Sequence, residues 1–359
     1  MKHLHQLLQA EIERSLALDP SLPGIMATVE LPKQGFAWSG ACGLARRGSQ
    51  EALTPEHAFR IASVTKVYTA ATVMRLIEQG RLNLFEPIEG RLLPASAAAL
   101  RSAGHAPERI TLFHLLTHTS GLVDHAASEN YMQAIKAAPQ RRWTRAAQID
   151  FAMQLGGPVA ELGREFSYSD TGFILLGEII EGVSGQPLPA VIREQLDFKR
   201  LGLKQTHFET LEAEPPGQRR AHQYIGDWDG LEVDASCDLY GGGGLISTTQ
   251  EIATFLRALL RGELFDQAQT LAMALMTPSV RFKPGDFLHS ALLRGRCWGS
   301  ESCWGHGGFW GIGAAYFPAH DATLVTAYNQ VECNAHTAGS PEQAGLMGRL
   351  AVILHNALR

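Results

Sequence analysis

The sequence predicts an α+β fold in which an antiparallel sheet from both chain ends is flanked by helices and carries an inserted all-helical lobe. Three observations lead there: hairpin patterns near each end of the chain, helical periodicity between them, and an amphipathic helix at each terminus. Leu4, Leu7, Leu8, Ile12 and Leu16 mark the first helix, interrupted by Glu11, Glu13 and Arg14. Pro23-Gly24 then introduces a strand over 25–31, the turn Pro32-Lys33-Gln34-Gly35 follows, and 36–43 returns as its partner. Phe59-Arg60-Ile61-Ala62 is extended. Val67, Ala70, Ala71, Met74 and Ile77 predict a helix over 64–79, with Gly80 as its stop. Residues 86–230 are mostly helical. A second hairpin spans 311–317 and 323–329 around Pro318-Ala319-His320-Asp321, and Pro341 opens a last helix with Leu346, Leu350, Ile353 and Leu354 on its apolar side. The expected division is a discontinuous α/β lobe, 1–85 and 231–359, around a helical lobe, 86–230, with the cleft between them favoured for ligands.

The 359 residues are 45% hydrophobic and 19% charged, with a net charge of −5, which suits a globular chain of about two lobes and gives no reason to expect nucleic acid or anionic membrane as a partner. No segment approaches a membrane span, and the N-terminal pattern is an amphipathic helix rather than a signal peptide. The five cysteines are scattered, Cys297 and Cys303 lying in a near-repeat that could sit on paired strands. They are read as buried free thiols without zinc spacing, so the expected location is cytoplasmic. No cofactor or metal is expected.

Ser63-Val64-Thr65-Lys66 is the chemical centre of the sequence. Residues at i and i+3 share a helix face, so the Lys66 amine can sit beside the Ser63 hydroxyl at the head of a helix. Of the seven lysines only Lys66 follows a serine at this spacing, and it stands in an apolar helix. Such a serine needs a base, a proton relay to the leaving group and a donor pair for the oxyanion. Tyr168-Ser169-Asp170 precedes another apolar helical run, and of the seven tyrosines only Tyr168 has Asn or Asp two positions later. Asp170 could equally be a plain N-cap. Trp304-Gly305-His306-Gly307-Gly308-Phe309-Trp310-Gly311 contains the one His-x-Gly among fourteen histidines. Tyr240, Phe309, Trp304 and Trp310 are candidates for an apolar pocket.

These three motifs, in this order, resemble those of the serine β-lactamases and penicillin-binding DD-peptidases, in the class C-like branch that includes D-aminopeptidases, D-amino-acid amidases and carboxylesterases. Its motifs are Ser-x-x-Lys, Tyr-x-Asn and Lys-Thr-Gly or His-x-Gly. The segments at 110–122 and 243–248 look like the family too, and the resemblance spans roughly 22–358. It implies acylation of Ser63, proton removal aided by Lys66, relay through Tyr168, and an oxyanion hole from the backbone N–H groups of Ser63 and Phe309. Asp170, His306, Gly307, Gly308, Tyr240 and Trp310 would contact substrate. The implied activity is hydrolysis of a small ester or amide, with a D-stereospecific aminopeptidase or amidase or a DD-peptidase-like enzyme as the alternative; a β-lactamase, acyltransferase or non-catalytic binder follows behind.

Two departures from the family pattern shape the expectations. Asp170 stands where Asn is usual, and an anion beside Lys66 favours its ammonium, which would leave Tyr168, as phenolate, to act as base. No lysine follows Lys283, so the third motif carries a cation only when His306 is protonated. Poor recognition of substrate carboxylates is therefore expected. His114 and His118 have a zinc-like i, i+4 spacing but lack a following Glu and are read as structural, and the run Gly241–Gly244 is read as backbone crowding near the site rather than a phosphate loop.

Overall fold

The computed structural model describes residues 2–283, 288–298, 301–331 and 345–358. Its strands are β1 (Gly24–Leu31), β2 (Phe36–Gly43), β3 (Phe59–Arg60), β4 (His207–Phe208), β5 (Tyr224–Ile225), β6 (Trp228–Asp229), β7 (Leu245–Ser247), β8 (Leu288–His289), β9 (Arg294–Trp298), β10 (Glu301–Gly308), β11 (Ile312–Phe317) and β12 (Ala322–Tyr328). Seven of them form one antiparallel sheet in the order β2-β1-β12-β11-β10-β9-β8. The two chain ends meet where β1 pairs with β12, Ala27 opposite Thr326. Gly35 closes the first hairpin at φ 59, a left-handed turn that suits glycine.

Alternation along the strands divides the core between the two faces. Ile25, Ala27, Val29, Leu31, Ala315 and Leu324 pack with Leu4, Leu8 and Ile12 of the helix Lys2–Leu18 and with Leu346 and Leu350 of the helix Leu346–Leu358. Met26, Ile312, Ala314 and Val325 face the opposite way, into the larger core that contains the helices Thr65–Glu78, Asp170–Ser184 and Thr249–Leu260. Thr28 donates from that face to Thr249 Oγ1 at 2.8 Å. Pro341, expected to open the last helix, lies outside the described residues.

From Pro94 to Leu201 every helix or strand is helical; the residues up to 230 then carry the short strands β4, β5 and β6. Strand β4 is there because β7 needs a second neighbour: β3 and β4 flank β7 in a small sheet that leads into the nucleophile turn. The helix Thr65–Glu78 that follows is buried on almost all sides, so its lysine is held by protein rather than water. Among the described residues no helix is long and apolar enough to cross a membrane.

The cysteine expectation needs correction. Cys303 is buried but Cys297 is exposed. In the register of β9 and β10, Cys297 faces Ser302 while Cys303 faces Arg296, one residue out of step. Because side chains alternate across a strand, the two thiols project to opposite faces. Cys333 lies outside the described residues.

Candidate active site

Strand β3 ends in a single turn of 3-10 helix, Ala62–Val64, that runs directly into the helix Thr65–Glu78. Ala62 takes φ 46, a left-handed conformation that costs a residue bearing Cβ and recurs where function fixes the backbone. The turn places Ser63 at the helix head. Lys66, 1% exposed, donates from Nζ to Ser63 Oγ at 3.0 Å, to Gly242 O at 2.7 Å and to Asp170 Oδ1. Three acceptors match the three protons of an ammonium. Burial works to lower the Lys66 pKa, but the Asp170 charge, with Tyr168 and Asp238, outweighs it and holds the pKa above its ordinary value. Lys66 is therefore cationic at rest, as the Asp170 substitution leads one to expect.

Tyr168 behaves differently from expectation. Its hydroxyl is buried, and burial raises its pKa more than Lys66 and Arg294 lower it, so the resting group is a phenol and not a phenolate. Ser63 lies close enough to pull that pKa down slightly, although the hydroxyl makes no full hydrogen bond among the described residues. Lys66 Nζ stands 5.2 Å from the Tyr168 ring centroid and the Arg294 guanidinium 4.9 Å. The N-cap of the helix Asp170–Ser184 is Ser169, whose hydroxyl accepts from Gly172 N; Asp170 is its first helical residue, free of capping duty and turned to Lys66.

Strand β10 brings the third motif alongside. A Cβ on Gly308 would lie 2.4 Å from Ile61 O, so only glycine lets this strand pass so close to the nucleophile turn. Phe309 follows directly, 48% exposed, and its amide has no hydrogen-bond partner among the described residues. His306, Gly307, Gly308, Phe309 and Trp310 all line one cavity with Ser63, Tyr168 and Asp170. Trp310 is also core: it packs under the Arg60 guanidinium and against Gly230. Tyr240 is not among the lining residues. Its hydroxyl donates to Trp143 O at 2.8 Å, in the loop just before the helix Arg145–Gln154. His306 donates from Nδ1 to Gly307 O at 2.7 Å and is kept uncharged by burial, then by Arg294, His289 and Lys66.

The missing cation comes from the neighbouring strand. Arg294 on β9 pairs with Gly305, beside His306, and lines the cavity. A second cationic side chain therefore stands beside His306 in the cavity wall. Its signal was the alternation Arg294-Gly295-Arg296 ahead of the cysteine near-repeat, which makes sense only once that stretch is a hairpin arm. Asp124 and Asp238 also went unread. Asp124 accepts from Asp170 N at 3.2 Å, and both carboxyls are pushed up to about 7, by burial first and by the Asp170 charge second. The glycine run explains itself here: a Cβ on Gly243 would meet Asp238 Oδ1 at 2.0 Å, and Gly242 offers its carbonyl to Lys66.

The cavity has a volume of about 1120 Å³, and its wall carries the acids Asp124, Glu129, Asp170 and Asp238 together with Arg294 and Arg296. Among the described residues no group of His, Cys, Asp or Glu is arranged to hold a metal ion. His114 is occupied in a capping box with Thr111.

Comparison with known proteins identifies the family. The family described as Beta-lactamase matches residues 22–344. Penicillin-binding protein 4 of Amycolatopsis lactamdurans is 30% identical over 193 residues, 52% of this chain and 45% of that protein. Esterase EstB of Burkholderia gladioli is 31% identical over 187 residues, 48% of this chain and 44% of its own. The chain thus spans about half the length of the curated relatives it matches. The D-amino acid amidase from Ochrobactrum anthropi SV3, solved with L-phenylalanine amide, superposes with a TM-score of 0.81 at 25% identity, covering 99% of this chain and 100% of that one. A match over most of its length, on a fold with the same architecture, makes this chain a member of the Beta-lactamase family.

Proposed function

We propose that the protein is a serine hydrolase that opens a small ester or amide through an acyl-enzyme on Ser63. The observation that carries this is the buried Lys66 amine, bonded at once to Ser63 Oγ, Gly242 O and Asp170. Direct contact with Asp170 gives the lysine somewhere to put a proton. Lys66 hands one to Asp170 and takes that of Ser63, whose oxygen attacks the substrate carbonyl carbon. The carbonyl electron pair moves onto oxygen, facing the amides of Ser63 and Phe309. When the bond to the leaving group breaks, the Tyr168 phenol protonates the departing atom. Tyr168 recovers its proton from Lys66, and Lys66 recovers its own from Asp170. Water repeats the sequence to release the acid. Ser63, Lys66, Arg294 and His306 come from the two chain ends and Tyr168, Asp170 and Asp124 from the 86–230 segment, so the reaction would run in the cleft between two lobes.

A D-stereospecific amidase or aminopeptidase is the second reading. Asp124, Asp170 and Asp238 gather acid at one part of the cavity wall, where a substrate ammonium would find partners, and a structural relative is named a D-amino acid amidase. The free thiols Cys42, Cys237, Cys297 and Cys303 support a cytoplasmic site of action.

The test is intact-mass detection of covalent adducts from a panel of p-nitrophenyl esters, D-amino-acid amides and a chromogenic cephalosporin. An adduct with esters or amides is the expected result; rapid reaction with the cephalosporin alone would reverse the assignment. Asp170→Asn probes the proton path. Removing the anion removes the acceptor for the Lys66 proton, so kcat/KM near neutral pH should fall by about 100-fold and its rising limb should move to higher pH, where Lys66 loses its proton to solvent. A profile that stays in place counts against Asp170 as the group controlling Lys66.

A further inference from the structure

The histidine set aside as structural, His118, sits against Tyr168 in a way that packing alone does not require. It is 1% exposed and takes φ 55, the left-handed conformation, just beyond the short helix Leu112–Leu116. Its carbonyl accepts from Ser167 N at 2.8 Å and its ring Nδ1 accepts from Ser169 N at 3.1 Å. The two residues that flank Tyr168 are therefore both hung on His118. Between these bonds the imidazole stacks on the phenol ring, with centroids 4.2 Å apart and planes inclined at 30°.

An Nδ1 that accepts from an amide carries no proton, so the neutral ring bears its hydrogen on Nε2. Burial first, and then the Lys66 and Arg294 charges, keep it uncharged. Nε2 meets no hydrogen-bond partner among the described residues, so the ring does not relay a proton to the site. Histidine here supplies two things together, a flat face for Tyr168 and an acceptor for the next amide. Asparagine would keep only the acceptor and phenylalanine only the face.

We infer that His118 is a positioning residue that fixes the Tyr168 phenol relative to Ser63 and Lys66; the inference rests on the acyl-enzyme reading above. The left-handed backbone guides the choice of variants. Glycine and asparagine both tolerate φ 55, so H118G removes face and acceptor without backbone strain and H118N restores the acceptor. A misplacement of about 1 Å can cost about 100-fold in rate. H118G should lower kcat for an amide substrate by about that factor with KM within about threefold, and H118N should recover about tenfold. The limbs of the pH profile should stay where they are while its height falls, because His118 itself does not titrate in the working range.

In a Tyr168→Phe background, H118G should add nothing further, since both changes act through one phenol. Folded H118G with kcat within twofold of the parent would overturn the inference, as would full additivity with Tyr168→Phe. Should H118G fail to fold, H118N decides: a drop of about tenfold in kcat at steady KM supports the positioning role, and an unchanged kcat ends it. Tyr168→Phe that acylates at the parent rate would bring down the reading of Tyr168 itself, a failure distinct from loss of the His118 effect alone.

Discussion

Ser63→Ala should abolish the covalent adduct and lower kcat on the order of 10⁵-fold while leaving the fold and ligand binding in place. The size of the effect follows from the nucleophile being the one atom whose bond to substrate splits a difficult hydrolysis into two easier steps. The mildness of the structural effect follows from the Lys66 environment. Loss of Oγ takes away one of three acceptors, the one at 3.0 Å, and leaves Gly242 O and Asp170 in place. A hydrogen bond to a charged group is worth about 1.5–3 kcal/mol, so denaturant unfolding should shift by no more than that. Turnover by Ser63→Ala within tenfold of the parent would show that another residue or water performs the attack.

Lys66→Met should fail differently, losing both acylation and stability. Asp170 would be left buried opposite an apolar side chain, and breaking such a pair from one side costs about 3–5 kcal/mol. Adding Asp170→Asn should recover most of the stability and none of the activity, because the lone charge disappears but the base is still absent. The pH dependence has a definite sign. The folded-state pKa of Lys66 is raised above its ordinary 10.5, so the stabilisation is complete at neutral pH and fades only as the pH rises beyond that value. Equilibrium unfolding of parent, single and double variants checks this. A Lys66→Met protein as stable as the parent, or one that still forms the adduct, would refute the buried ion pair as the centre of the site.

The hairpins and the amphipathic helix at each chain end were legible in the amino-acid order, because they are local: period-two alternation, turn residues such as Pro32 and Gly35, and leucines at helical spacing need no distant partner. Ser63 and Lys66 were legible for the same reason, standing one turn apart on one helix. Tyr168 and His306 could be read only as motifs. Nothing in their neighbourhoods says that they meet Ser63; that depends on β10 crossing the nucleophile turn at Gly308 and on the helix from Asp170 packing against Lys66.

Charge states were least legible, since a pKa depends on burial and on groups far away in the chain. Asp170 as an anion beside Lys66 could be reasoned from residue type, whereas the protonated Tyr168 phenol could not, because the desolvation that decides it belongs to the assembled core. Arg294 lies twelve residues before His306, and its place beside that histidine is a matter of strand register. His118 shows the limit most plainly: its spacing from His114 suggested at most a metal, and only the tertiary structure turns it toward Tyr168. Sequence alone thus determined the elements and the nucleophile, through short-range periodicity. Packing decided the proton states, the cation and the support of the phenol, because these are set by which remote surfaces exclude water together.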